Sequence, residues 1–393
     1  MADLFYKCYN FTRARELKEQ GWYPYFKAIQ SGADTEVCID GRKLIMIGSN
    51  NYLGLTQDER IKVAAIKAIE DFGSGCTGSR YLNGTLSLHE ELEEKLAEFM
   101  GKEAALVFST GFQTNLGTIS TLVGKDDMIF ADRSDHASIV DGCRLAFGKM
   151  MKFKHNDMQD LERLLSANQV RGKIIIVDGV FSMEGDLINL PEVVRLAKKY
   201  DARVMVDDAH SIGIFGKNGR GTAEHFGLED DVDIVMGTFS KSFATLGGFI
   251  VSNARVIDYI KHHSRALIFS ASMTPAAVAS VLAALEIIKN EPERRERLWQ
   301  IVRKMKTAFD ELGFNTCESQ SPVIPIFIGT MMDTFVFWKR LFDNGVFANP
   351  AIPPAVAPGQ CLIRTSYMAT HTDEELNKVL DVFEKLGKEF SLI

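Results

Sequence analysis

The stretch Gly237-Thr238-Phe239-Ser240-Lys241-Ser242 follows the apolar run Val232-Asp233-Ile234-Val235-Met236 and leads into Leu246-Gly247-Gly248-Phe249-Ile250-Val251. Its lysine stands where a buried strand gives way to a loop. Upstream, Ala202-Arg203-Val204-Met205-Val206 reads as a second buried parallel strand and runs straight into Asp207-Asp208-Ala209-His210-Ser211. In open α/β sheets, ligands gather outside such carboxyl ends.

An acid at one strand end and a lysine at another, flanked by Thr and Ser, is the arrangement a pyridoxal phosphate (PLP) site needs. The lysine amine forms a Schiff base with the aldehyde, and the carboxylate pairs with the pyridinium nitrogen. An anion within a few ångströms keeps the ring protonated and able to absorb the charge of a carbanion. Taken singly, Lys241 reads as a solvated loop lysine and Asp207 as a helix cap. It is their conjunction that points to PLP.

Around these two strands the apolar runs 104–108, 128–131, 150–153, 173–177, 202–206, 232–236 and 249–251 alternate with helical or Gly-containing segments. That rhythm predicts a mostly parallel sheet covered on both faces. Past Pro275 the character changes to helices at 276–289 and 292–312, strands at 323–328 and 362–364, and a closing helix at 373–390. At the other end, 4–31 has helical spacing and reads as an arm, and 36–47 reads as a hairpin turning at Asp40-Gly41. The expected organisation is an arm and hairpin over 1–50, a large α/β domain over 51–289 and a small α+β domain over 290–393.

The loops between these elements are rich in polar groups. Gly48-Ser49-Asn50-Asn51-Tyr52 follows the hairpin, and Gly73 to Thr85 carries Arg80, Tyr81 and Asn83, which a plain linker does not need. A helix over 87–100 is expected to begin with Ser87 and Glu90 as a capping box and to stop at Gly101. Ser109-Thr110-Gly111-Phe112-Gln113-Thr114-Asn115 opens another helix, whose free amides could hold a phosphate. His136 and Ser182 each lie just past a strand end, where an imidazole could lie flat on a cofactor ring.

Composition excludes other classes. The 393 residues are 46% hydrophobic with a net charge of −7 and no basic block, against a nucleic-acid protein. Six cysteines without a CxxC or regular spacing fit reduced thiols in a cytoplasm, and they offer no metal frame. The N-terminus lacks the apolar core of an export signal. Residues 266–285 carry no charge and are long enough to count as a membrane-span candidate, but Pro275 divides the stretch into a loop and an Ala-rich helix. A buried segment is expected there, with only peripheral membrane contact left open.

With Asp207, His210, Lys241, His136 and the Gly-rich loop assembled, the chain resembles the α-oxoamine synthases, PLP-dependent transferases of fold type I, over nearly its whole length. The resemblance implies a mostly parallel seven-stranded sheet in a large domain beside a smaller α+β domain. Gly78-Ser79-Arg80-Tyr81-Leu82-Asn83-Gly84-Thr85 and Ser240 before the lysine look most like the soluble bacterial branch that joins L-serine to a long-chain acyl-CoA. The implied reaction is a decarboxylative condensation giving 3-oxosphinganine from palmitoyl-CoA, with CoA and CO2 released. The alternatives are glycine C-acetyltransferase and 8-amino-7-oxononanoate synthase chemistry. A PLP-binding scaffold without turnover would not need all four of Lys241, Asp207, His210 and His136.

Carried over residue by residue, the resemblance implies that Lys241 holds PLP, Asp207 pairs with the ring nitrogen, His210 bonds the phenolic oxygen and His136 stacks on the ring. Gly111, Phe112 and Thr238 would hold the phosphate. Ser272 would reach the phosphate of the neighbouring subunit, making a homodimer with shared active sites the functional unit. Asn50, Ser182 and Arg80 are expected at the substrate or cofactor, and Arg364 at the amino-acid carboxylate. Several relatives carry an arginine just before a Pro-Pro pair, whereas this chain reads Asn349-Pro350-Ala351-Ile352-Pro353-Pro354. Any role of that arginine falls to Arg364 or His136.

Overall fold

The computed structural model describes residues 3–393. Its strands, in chain order, begin with the hairpin β1 (Glu36–Ile39) and β2 (Arg42–Met46). Then come β3 (Ala104–Phe108), β4 (Asp127–Asp132), β5 (Lys149–Phe153), β6 (Gly172–Asp178), β7 (Arg203–Asp207), β8 (Ile234–Thr238) and β9 (Gly248–Ser252). The last four are β10 (Val323–Gly329), β11 (Val346–Phe347), β12 (Asn349–Ala351) and β13 (Cys361–Ser366). The chain divides into two compact units, Asn50–Leu298 and a second made of Met1–Ser49 with Trp299–Ile393.

The larger unit is built on a seven-stranded sheet of order β3-β9-β8-β7-β6-β4-β5. The pairs β5/β4, β4/β6, β6/β7 and β7/β8 are parallel, while β9 runs against both β8 and β3. Parallel strands need both faces covered, which explains their unbroken apolar runs. Ile129, Ile176, Met205, Met236 and Ile250 pack against Ile119, Ile139 and Ile260 from helices on one face. Because β3 and β8 are both antiparallel to β9, the carboxyl ends of β3, β4, β6, β7 and β8 all open on the same side.

Two of the expected strands are displaced. The run expected at 232–236 forms its ladder at 234–238, and that at 202–206 extends to Asp207. Asp233 stands outside the strand because its carboxylate accepts the Val204 N–H at 2.8 Å. The helix Ser87–Met100 ends at a left-handed Gly101 as expected, but its capping box fails. Leu86 is the cap residue, and its N–H donates to His89 Nδ1 at 3.0 Å, so Ser87 is already the first helical residue. In the charge-poor stretch, Thr274 caps the helix Pro275–Asn290 with its side chain. Among the described residues no helix is long and apolar enough to cross a membrane.

In the smaller unit, β1 and β2 form the expected hairpin, with both Asp40 and Gly41 at positive φ as its tight turn requires. The hairpin does not stand apart with the arm over 1–50. β2 pairs in parallel with β11, and Ile39, Leu44 and Ile47 share a core with Ile324, Trp338, Ile363 and Phe383. The arm itself holds two short helices, Tyr6–Tyr9 and Arg13–Glu19. A helix absent from the sequence reading, Met331–Asp343, supplies Phe335, Trp338 and Leu341 to the same unit.

Candidate active site

At the carboxyl ends of the large sheet lies a cavity of about 230 Å³. Its lining brings together Gly111 and Phe112 after β3, His136 after β4, Ser182 after β6, Asp207 and His210 after β7, and Thr238 and Lys241 after β8. A larger cavity of about 490 Å³ opens at the opposite, amino ends of these strands. There Arg203 and Asp233 neutralise each other at 3.0 Å, and the acid, imidazole and amine groups of the carboxyl-end site are missing from its lining.

Asp207 is buried at 4% exposure, and its carboxylate is held from two directions. Asn115 donates its amide to Oδ2 at 2.7 Å, and the Ala209 N–H reaches Oδ1 at 3.0 Å. Donors to both oxygens fix the orientation of the carboxylate. Asn115 lies one helical turn beyond Gly111, so the same helix that opens at the cavity delivers it to Asp207. Its amide also reaches Ser138 Oγ at 2.8 Å.

Ser138 in turn sets the histidine. The Ser138 N–H donates to His136 Nδ1 at 3.2 Å, and the Ser138 hydroxyl lies 2.7 Å from the same nitrogen. Nδ1 must therefore carry the lone pair, leaving the ring proton of the neutral imidazole on Nε2. Desolvation and the Lys241 charge push the His136 pKa below its ordinary value, and Asp207 opposes them. Beneath it, the Asp178 carboxylate accepts the His136 N–H at 2.8 Å. Burial and the nearby Asp207 hold Asp178 well above the usual carboxylate range.

His210 is fixed from the opposite side by Tyr52, a fully buried residue whose phenol is 2.7 Å from His210 Nδ1 and 3.4 Å from Asn50 Oδ1. We assign the phenol proton to the shorter contact, which leaves the His210 proton on Nε2. Lys241 sits in a closely bonded loop. Phe239 N–H donates to Gly247 O at 3.0 Å, Thr245 N–H to Phe239 O at 2.9 Å and Ala244 N–H to Lys241 O at 3.0 Å. Ala244 turns this loop with φ +57°.

The phosphate end is equally specific. Thr110 Oγ1 caps the helix Gly111–Leu122 by accepting the Gln113 N–H at 3.1 Å. The N–H groups of Gly111 and Phe112 are left without a partner among the described residues. A Cβ on Gly111 would stand 2.6 Å from Thr238 Oγ1, so only glycine lets this helix start approach the Thr238 hydroxyl. Free amides, a hydroxyl, an amine and a buried anion form a donor set that fits PLP from phosphate to ring nitrogen.

Three expected site residues lie elsewhere in the large unit or serve differently. Arg80 is buried and forms a bidentate pair with Glu93, Nη1 to Oε1 at 2.7 Å and Nη2 to Oε2 at 2.9 Å. Its guanidinium is thus committed within the protein. Ser272 Oγ lies 2.6 Å from Gly84 O and 3.0 Å from Gly78 O, where it closes the Gly-rich loop of its own chain. Asn50 is outside the cavity lining and reaches it through Tyr52. Arg364 belongs to the smaller unit, buried on β13 directly across from Asn349 of β12, the residue before Pro350. Tyr52, Asn115, Ser138 and Asp178 escaped the sequence reading as site residues. Only Asn115 carried a signal, its spacing from Gly111.

Known proteins resemble the chain over its whole length. Residues 42–383 match the aminotransferase class I and II family. The chain is 55% identical to the serine palmitoyltransferase of Sphingobacterium spiritivorum over 96% of each. It is 44% identical to the 8-amino-7-oxononanoate synthase of Symbiobacterium thermophilum over 96% of this chain and 97% of that one. A lysine-to-alanine variant of serine palmitoyltransferase from S. paucimobilis, solved with a bound PLP-myriocin aldimine, matches at TM-score 0.97 and 38% identity over all of both chains. The Sphingomonas wittichii serine palmitoyltransferase matches at 0.96 and 40%, again over all of both.

Proposed function

From a chain that belongs to the α-oxoamine synthases, within the class I and II aminotransferase family and with the type I fold of PLP-dependent enzymes, we propose the decarboxylative condensation of L-serine with a long-chain acyl-CoA, palmitoyl-CoA foremost. The products are 3-oxosphinganine, CoA and CO2, and the cofactor is PLP. The observation that carries this reading is full-length identity of 55% to a serine palmitoyltransferase against 44% to an 8-amino-7-oxononanoate synthase.

When bound, PLP supplies an aldehyde that captures the amino group and a protonated ring that draws electrons from the α-carbon. This chain's residues do the rest. The Gly111 and Phe112 amides and the Thr238 hydroxyl bind the phosphate. Asp207, oriented by Asn115 and the Ala209 N–H, holds the proton on the ring nitrogen, and neutral His136 covers the ring face. His210 donates Nε2–H to the phenolic oxygen.

The Lys241 amine takes the α-proton of serine, and the α-carbon then bonds the acyl carbonyl carbon. The C–S bond breaks, and the departing CoA sulfur takes a proton from water to leave as the thiol. Loss of the carboxylate as CO2 follows, and the proton held by Lys241 returns to the α-carbon. Lys241 must be uncharged to act as base.

The functional unit is a homodimer in the cytoplasm, in which Ser272, whose hydroxyl proton is held by the Gly84 carbonyl in the single chain, turns to the partner's phosphate on assembly. Large apolar side chains left exposed on the single chain support a covering partner, among them Leu82 at 77% and Phe269 at 78%. Six unpaired cysteines support a reducing compartment.

The assay follows CoA thiol and CO2 release for L-serine, glycine and L-alanine against acetyl, octanoyl, pimeloyl and palmitoyl donors. L-Serine with palmitoyl-CoA should have the highest kcat/KM. Preference for glycine with acetyl-CoA, or for alanine with a pimeloyl donor, would replace this reading with one of its alternatives.

A further inference from the structure

His155 follows β5 and lies outside the cavity, yet it joins two strand ends that line it. Its Nδ1 is 3.1 Å from Asp132 Oδ1 at the end of β4, and its Nε2 is 3.1 Å from Asp186 Oδ2 in the loop after β6. Both partners are carboxylates, which accept only, so both ring nitrogens must donate. That requires an imidazolium. A neutral ring would turn a lone pair toward one of the carboxylates.

The surroundings leave each member of this bridge dependent on the others. Asp132 is fully buried, and it also accepts the Ser134 N–H at 2.8 Å and the Asn156 N–H at 2.7 Å. Among the described residues, Asp186 Oδ1 has no hydrogen-bond partner, so His155 is the one side chain that answers the Asp186 charge. The edge of His155 meets the buried Phe181 ring at 4.4 Å and 88°. Phe181 directly precedes Ser182.

The loop over 180–187 is closed on itself by Phe181 N–H to Asp186 O at 3.0 Å and Gly185 N–H to Phe181 O at 2.9 Å. Its outer attachments include the His155 bridge and Asn156 Nδ2 donating to Leu187 O at 2.9 Å. The same strand end continues toward the other wall of the cavity. Asp135 accepts the N–H groups of Asp132 at 2.8 Å and Asp178 at 3.0 Å, and Asp178 accepts that of His136.

We propose that His155 is a positioning residue for the cofactor cavity: by bridging Asp132 and Asp186 it fixes the 180–187 loop, and with it Ser182, against the end of β4. The two carboxylates and the nearby Glu184 are the charged groups that face it. The carboxylates raise its pKa to about 10 against the desolvation that opposes them, in keeping with the charge the geometry demands.

The test is a double-mutant cycle between His155→Gln and Ser182→Ala, read as the rate of PLP release from the holoenzyme. If His155 acts through Ser182, each single variant speeds release by about tenfold and the double variant is no faster than either. A bridge that merely stabilises the fold would lower the melting temperature and give additive effects on release, and additivity overturns the proposal. If His155→Gln does not accumulate as folded protein, Asp186→Asn carries the same cycle. In parallel, nitrogen NMR of the histidine-labelled holoenzyme should show both His155 nitrogens protonated through pH 8.5. A neutral His155 at pH 7.5 also overturns it.

Discussion

Removing the guanidinium of Arg80 separates two roles for that residue, one within the fold and one at the substrate. The side chain is 5% exposed and that of Glu93 is 12%, so the pair is nearly dry. In the Arg80→Ala variant Glu93 keeps only the Val107 N–H, at 2.9 Å, out of three donors. Breaking a buried pair from one side costs about 3–5 kcal/mol, because the remaining charge stays desolvated. Thr85 Oγ1 loses its contact with Arg80 Nε at 3.2 Å as well.

Urea unfolding of the holoenzyme should therefore show Arg80→Ala destabilised by about 3–5 kcal/mol. The pair of changes Arg80→Met with Glu93→Gln should recover about 2 kcal/mol, since no charge remains buried and the glutamine oxygen still accepts from Val107. At 25 °C, below the unfolding transition, KM for L-serine and for palmitoyl-CoA should stay within about threefold of the parent, a difference under 1 kcal/mol. Stability changed by less than 1 kcal/mol together with a KM raised more than about tenfold would refute this reasoning and return Arg80 to the substrate.

Lys241→Ala should abolish the visible absorption of lysine-linked PLP and all turnover; a variant that keeps a borohydride-reducible link to PLP would show that another lysine holds it. Asp207→Asn should bind PLP through its phosphate yet lose exchange of the serine α-proton in deuterated water by several powers of ten, each ~1.4 kcal/mol being tenfold. Near-normal exchange would contradict the ring-nitrogen role. Tyr52→Phe removes the 2.7 Å partner of His210, and the visible band of the bound cofactor should titrate at a shifted pH; an unchanged titration would mean that Tyr52 does not set the His210 tautomer. Because His155 has a folded pKa raised from 6.5 to about 10, its contribution to stability is complete below pH 6.5 and is lost as pH rises toward 10. The stability gap between the parent and His155→Gln should narrow across that window, and a gap that widens would reverse the assignment.

The strand ends that build the cavity were readable because unbroken apolar runs end abruptly in Asp207, Asp178 or Thr238, a pattern that parallel strands impose. Lys241, Asp207, His136 and His210 stood out for that reason. The pairing of Arg80 was not legible because its partner Glu93 lies 13 positions on, across a loop whose path no local pattern reveals. The same holds for the Asp132–His155–Asp186 bridge, drawn from three separate segments. Ser87 looked like a cap because serine usually is one, yet His89 reached the preceding N–H first. The helix Met331–Asp343 was legible and passed over, for Thr330 caps it and Phe335, Trp338 and Leu341 recur at helical spacing. The pairing of β2 with β11 could not be foreseen, since it joins residues 301 positions apart through a two-residue strand.

Three residues past Lys241, Ala244 holds a left-handed backbone. Such a conformation costs an L residue about 1 kcal/mol or more, and a glycine would adopt it freely. A glycine would also give the loop other shapes to visit. Ala244→Gly is thus a substitution that a screen for thermal stability could favour while the amine three residues away loses its aim. Position 244 is a point where durability and turnover ask for different residues.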